Sequence, residues 1–194
     1  MPPRPRSLGL APALVLLASS GTGCLEGAYT AAKPTALERQ LLGAYDELEA
    51  KLVHASSVRA EAGPQLLSFE AMEASALEAR ALQRFNEDDV LELKGAGCLA
   101  EGLGARLLLQ PCSMASEDPA AQRRLERVLV EENRAREAVL RWAAHTLARQ
   151  AGKSAPSERD VAELRLTYQR LLRETATRGQ LFEVAPGTVR PVTD

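Results

Sequence analysis

The chain has 194 residues, enough for one domain with a short extra segment, and an apolar content of 45% permits a genuine core. Aromatic residues make up only 4%, so leucine, alanine and valine must fill that core. The formal charge is −2 with acidic and basic residues interleaved; nucleic-acid binding needs a clustered basic face, and no nucleic-acid partner is expected.

The first element is a leader. Arg4 and Arg6 precede an uncharged run of apolar and small residues from Leu8 to Ser20. At about 13 residues the run is shorter than the ~20 that span a bilayer as a helix, and it has the pattern of a secretory signal peptide. Ser19, Ser20, Gly21, Thr22 and Gly23 then lead to Cys24. This resembles a bacterial lipoprotein leader, with Gly21 where leucine is usual. The expectation is cleavage before Cys24 and attachment of fatty acyl chains there. Two or more chains, at ~0.8 kcal/mol per buried methylene, make a stable membrane anchor. The expected location is the cell envelope, facing the periplasm. Leu25 follows the cysteine where aspartate would direct retention, which favours the outer membrane over the inner by analogy with sorting rules. Residues 1–23 are thus read as signal peptide, 24–34 as lipid anchor and flexible tether, and 35–194 as one helical domain.

Within that domain, Thr35 and Glu38 form a capping-box signature ahead of Leu37, Leu41, Tyr45, Leu48 and Leu52 at helical spacing. Gly43 inside this helix costs about 1 kcal/mol relative to alanine and is read as a close helix contact. Gly63 and Pro64 break the following stretch. A second helix is predicted from about Ser68 to Phe85, and Asn86 is placed to cap a third over "EDDVLELK", stopping at Gly95. Asp118 suits an N-cap and Pro119 the first position of the longest helix. That helix extends to Ala151 before Gly152, about 33 residues or ~50 Å. Its apolar stripe includes Leu125, Val128, Leu129, Val139, Trp142, Ala143 and Leu147. Ser157 and Asp160 cap a last helix bearing Val161, Leu164, Tyr168, Leu171 and Leu172, with Gly179 as its C-cap. The tail "QLFEVAPGTVRPV" reads as a small hairpin around Pro186 and Gly187, with Pro191 confining its second arm to an edge. The fold class is mainly α: about five helices, one of them long, with a disulfide-closed loop and a C-terminal hairpin.

That loop is "GAGCLAEGLGARLLLQPC". Export places it in an oxidising space. With Cys24 consumed by lipid, Cys98 and Cys112 are an even pair whose bridge stabilises by roughly 3 kcal/mol on the chain-entropy model. "RLLLQ" is a candidate short strand. The competing reading is a reactive thiol assisted by Glu101 and a histidine. The two histidines, His54 and His145, are both distant from either cysteine in sequence. No paired metal-ligand spacing and no phosphate-binding loop is present, so neither metal nor cofactor is expected.

One feature of the long helix breaks its pattern. Glu132 and Arg136 stand at i and i+4 on or beside the apolar stripe, with Asn133 on its rim. The simpler reading is a partly buried ion pair satisfying itself. The functional one is a groove where a partner or ligand meets polar groups within an apolar wall. Trp142 is read as core.

The segments "LERQLLGAYDELEAKL", "LKGAGCLAEGLGARLLLQPC", "VEENRAREAVLRWAA" and "TRGQLFEVAPGTV" resemble the YdbL-like family of bacterial periplasmic proteins, a domain of unknown function. The likeness spans roughly Thr35 to Val189. It comprises a Gly-x-x-x-Glu turn (Gly97 to Glu101), an Asn-x-x-Arg helix step (Asn133 to Arg136) and a tail with Gly179 and Gly187. Ala100 and Val189 depart from that pattern, which has glycine and often tryptophan there. The resemblance implies an exported, non-enzymatic accessory protein of the cell envelope, with an AsmA-like lipid-transport protein as partner. Glu101, Asn133 and Arg136, which stand in these motifs, and Glu132, from its place on the apolar stripe, are the possible partner contacts. Two other functional classes remain open from the sequence: a thiol-dependent hydrolase, and a carrier of a lipid or other small ligand.

Overall fold

The computed structural model describes residues 34–57, 69–114 and 118–193. The leader, Cys24, the tether up to residue 33 and the break at Gly63 and Pro64 lie outside these residues, as does the side chain of His54. Five helices and four strands make up the described fold: α1 (Ala36–Ser57), α2 (Phe69–Phe85), α3 (Glu87–Gly95), β1 (Leu99–Gly102), β2 (Arg106–Leu109), α4 (Pro119–Gln150), α5 (Glu158–Glu174), β3 (Leu181–Ala185) and β4 (Thr188–Pro191).

Helix starts follow the capping chemistry read from the sequence. Thr35 and Glu38 satisfy each other's backbone reciprocally, Thr35 N donating to Glu38 Oε2 at 2.6 Å and Glu38 N to Thr35 Oγ1 at 3.2 Å. Asp118 accepts from Ala120 N at 2.7 Å, and Ser157 and Asp160 close a second capping box. Asn86 departs from expectation. Its side chain makes no cap bond; it reaches across to α4, where Nδ2 donates to Glu131 Oε2 at 3.0 Å. Asn86 is buried, and a tie between helices takes precedence there over a local cap. Gly179 also departs: α5 ends earlier, at Glu174, and Gly179, at φ +91°, turns the chain into β3. Gly43 is exposed and a Cβ there would meet nothing within 4 Å, so no close helix contact requires it.

The sheet was the least visible part of the fold. Its order is β2-β1-β3-β4. The hairpin β1–β2 is antiparallel, with Leu99 opposite Leu109 and Gly102 opposite Arg106. β3–β4 is a second antiparallel hairpin, and β4 with Pro191 is an outer strand, as a proline without an N–H demands. The two hairpins join through parallel pairing of β1 with β3, Ala100 opposite Leu181 and Glu101 opposite Phe182. The disulfide Cys98–Cys112 closes the base of the first hairpin (S–S 2.01 Å, Cα–Cα 5.0 Å).

α4 is the central helix of the described fold; α1, α2, α3, α5 and β2 all pack on it. Two apolar cores form along its length. Toward its start, Leu125 and Val128 meet Val90, Leu93, Cys98, Leu99 and Leu107 from α3 and the first hairpin. Toward its end, Val139, Leu140, Trp142 and Ala143 meet Leu41 and Leu48 of α1, Ala76 and Ala79 of α2 and Leu164 of α5. Each large side chain so buried contributes roughly 1.5–3 kcal/mol. Glu132 and Arg136 lie on α4 between the two cores.

Candidate functional site

The seam between the cores is ionic. Arg136 donates Nη1 to Glu101 Oε2 at 2.6 Å, Nη2 to Glu101 Oε1 at 3.1 Å and Nε to Glu132 Oε1 at 2.7 Å. Lys94, at the end of α3, donates Nζ to Glu101 Oε1 at 2.8 Å. Gln83 of α2 donates Nε2 to Glu132 Oε1 at 3.2 Å. All five side chains are buried, and Glu101 is 0% exposed. Two cations and two anions therefore share one desolvated site and cancel in formal charge. Such an arrangement is tolerable only with good geometry and further hydrogen bonds, and the fork of Arg136 on both oxygens of Glu101 supplies them. Burial pushes the Glu101 carboxyl up, but the charges and hydrogen bonds of Arg136 and Lys94 outweigh it and hold the group below its ordinary range.

Strand and helix geometry both matter here. β1 delivers Glu101 to the interior because it is a central strand, flanked by β2 and β3, and all four of its residues are buried. The i,i+4 step on α4 sets Glu132 and Arg136 on one face. Gly102, next to Glu101, sits where a Cβ would stand 2.7 Å from Leu108 Cγ and 2.9 Å from Arg106 O. The tight hairpin that carries Glu101 inward therefore requires glycine at that position.

Aromatic rings extend the site toward α1 and α5. The rings of Tyr45 and Tyr168 stack with centroids 5.8 Å apart and planes 11° from parallel. The guanidinium of Arg136 lies 5.8 Å from the Tyr168 centroid, and that of Arg80 lies 5.7 Å from Tyr45. Lys94 Nζ is 5.9 Å from the Phe182 ring. Burial raises both tyrosine hydroxyls above the usual phenol range, so they stay protonated.

A cleft of about 290 Å³ opens onto this network. Its floor includes Gln83, Lys94, Glu101, Glu132 and Arg136; its walls include Val90, Leu91, Tyr168, Leu172 and Ala176, with Arg80, Glu87, Thr175 and Gln180 also lining it. α2, α3, β1, α4 and α5 all contribute. Charged groups of both signs thus converge in a concave site beside an apolar wall.

The structure thus brings together three of the four candidate contact residues, Glu101, Glu132 and Arg136. Asn133 points elsewhere. Its side-chain amide pairs with the backbone of Leu107 like a neighbouring strand: Leu107 N donates to Oδ1 at 2.7 Å, and Nδ2 donates to Leu107 O at 3.0 Å. This covers part of the outer edge of β2. Sequence reasoning missed Lys94, Gln83, Tyr45 and Tyr168. Lys94 carried a faint signal, one helical turn after Val90 on the inward face of α3.

The cysteines that a thiol enzyme would use are joined to each other, and the Glu101 carboxylate is held by Arg136 and Lys94. His145 lines a separate cavity of about 450 Å³ between α4 and α5. Among the described residues, no group of three or more His, Cys, Asp or Glu side chains is placed to hold a metal ion. No described helix is long and apolar enough to cross a membrane. No family model, curated protein or solved structure matches the chain.

Proposed function

We infer that the protein is an exported accessory module of the bacterial cell envelope, anchored through lipid on Cys24, that acts by binding rather than catalysis. The observation that carries this reading is the Cys98–Cys112 disulfide. Such bonds persist in oxidising compartments and are rare in the cytosol. The chain has three cysteines, so pairing two of them leaves Cys24 behind its signal-like leader as the remaining sulfur for acylation. A binding role is supported by the buried network, whose Glu101, Glu132, Arg136 and Lys94 already serve as each other's counter-ions. An AsmA-like lipid-transport partner rests on the resemblance to YdbL-like proteins alone.

The test is expression of the full chain beside Cys24→Ser in a Gram-negative host. The wild type should label with a palmitate analogue and sediment with the envelope. Cys24→Ser should lose the label and leave the membrane fraction while keeping its disulfide. Unlabelled wild-type protein recovered from the cytosol with free thiols would refute export and anchoring together. Crosslinking in intact cells should then recover a distinct envelope protein; repeated recovery of none would refute the accessory role.

A further inference from the structure

The cleft over the ionic seam has an unusual balance. Its buried cations, Lys94 and Arg136, equal its buried anions, Glu101 and Glu132, in number, while at the rim Arg80 is already paired with Glu49 and Glu87 is exposed. The floor ions are already paired, yet they retain hydrogen-bonding capacity of both signs. Lys94 has three donors and uses one on Glu101. Arg136 has five and uses three. Glu132 accepts two hydrogen bonds on Oε1, and its Oε2 accepts none from the described residues. A molecule of single charge entering this neutral, desolvated site would bring an uncompensated ion into it, at high cost. A molecule carrying both charges brings none. It places an anionic end on the spare N–H groups of Lys94 and Arg136 and a cationic end on Glu132 Oε2. Val90, Leu91 and Leu172 leave an apolar wall for the remainder. At about 290 Å³ the cleft lies at the small end of ligand pockets, the scale of an amino acid or very short peptide.

We propose that this cleft binds a small apolar zwitterion, a free amino acid or short peptide in which ammonium, carboxylate and an apolar side chain occur together. The proposal goes beyond the accessory role and does not depend on acylation.

The probe is L-leucine, titrated calorimetrically into the full oxidised chain in detergent. Two analogues each remove one charge: N-acetyl-leucine lacks the ammonium and leucinamide lacks the carboxylate. Leucine should bind saturably at or below about 1 mM, and each analogue should bind at least about tenfold weaker, equivalent to one logarithmic step in Kd. Glu132→Gln should weaken leucine by a similar factor. Leu172→Trp, which fills the apolar wall and leaves every charge of the network in place, should abolish binding while the melting temperature holds. Leu172→Trp is the variant that separates loss of binding from loss of fold, since Glu132→Gln also removes a counter-ion of Arg136. The proposal is overturned if leucine shows no saturable binding. It is equally overturned if acetate or N-acetyl-leucine binds as tightly as leucine, which would mean a plain anion site, or if leucine binding survives Leu172→Trp.

Discussion

Replacing Glu101 with glutamine tests the ionic seam at its centre. The side chain keeps its shape and loses its charge. It accepts three hydrogen bonds from two cations, Arg136 at 2.6 and 3.1 Å and Lys94 at 2.8 Å; Glu101 is fully buried and both cations are nearly so. Removing one partner of a buried pair leaves an uncompensated charge and costs about 3–5 kcal/mol. For a domain of this size each kcal/mol moves Tm by ~2–4 °C, so Glu101→Gln should melt roughly 6–20 °C below wild type. The pH dependence has a definite sign. The folded-state Glu101 titrates below its ordinary value of 4.5, so its contribution is complete above that value and is lost as pH falls through the folded-state pKa. Wild type should therefore lose Tm on acidification through and below pH ~4.5, and Glu101→Gln should show a shallower acid limb. Arg136→Met in the same background should cost less than in wild type, because its main partner is already neutral. Differential scanning calorimetry from pH 3 to 8 reads all three effects. A Glu101→Gln melting temperature within about 2 °C of wild type, with an unchanged acid limb, would refute the buried-network description.

Four further outcomes follow from the same geometry. Reducing the disulfide, or replacing Cys98 and Cys112 together with serine, should cost about 3 kcal/mol for a bridge of this span, seen as a lower Tm in the presence of reductant. Gly102→Ala forces a Cβ against Leu108 and the Arg106 carbonyl and should destabilise by about 1–3 kcal/mol in denaturant unfolding. Gly43→Ala, on an exposed helix face with open space around it, should instead stabilise by up to about 1 kcal/mol. Asn133→Ala removes both hydrogen bonds to Leu107 and should accelerate hydrogen exchange at the Leu107 amide more than elsewhere in β2.

The helices were legible because their causes are local. Thr35 with Glu38, Asp118 with Pro119 and Ser157 with Asp160 announce helix starts within four residues, and the structure places α1, α4 and α5 at those positions. The second hairpin and the outer position of Pro191 were legible for the same reason. Asn86 shows where local chemistry loses: a good capping residue is drawn into a tertiary contact with Glu131, 45 positions away. The parallel pairing of β1 with β3 had no local signal, because two strands of four and five residues find each other across two intervening helices. Of the ionic site, Glu132 and Arg136 stood out as charges on an apolar stripe. Burial of Glu101 and Lys94 with them depended on that same unforeseen pairing, since a central β1 is what carries Glu101 inward. Tyr45 and Tyr168 looked like ordinary core residues of two separate helices, and only their packing shows that they form one stack.

The central claim is that the working protein is a processed, acylated, disulfide-bonded molecule outside the cytoplasm, and intact mass spectrometry of unreduced protein from its native membranes tests it most directly. The account predicts a chain beginning at Cys24, heavier by its acyl chains and lighter by two hydrogens than the reduced polypeptide. A mass matching the whole sequence from Met1, with all three sulfurs open to alkylation, would contradict it.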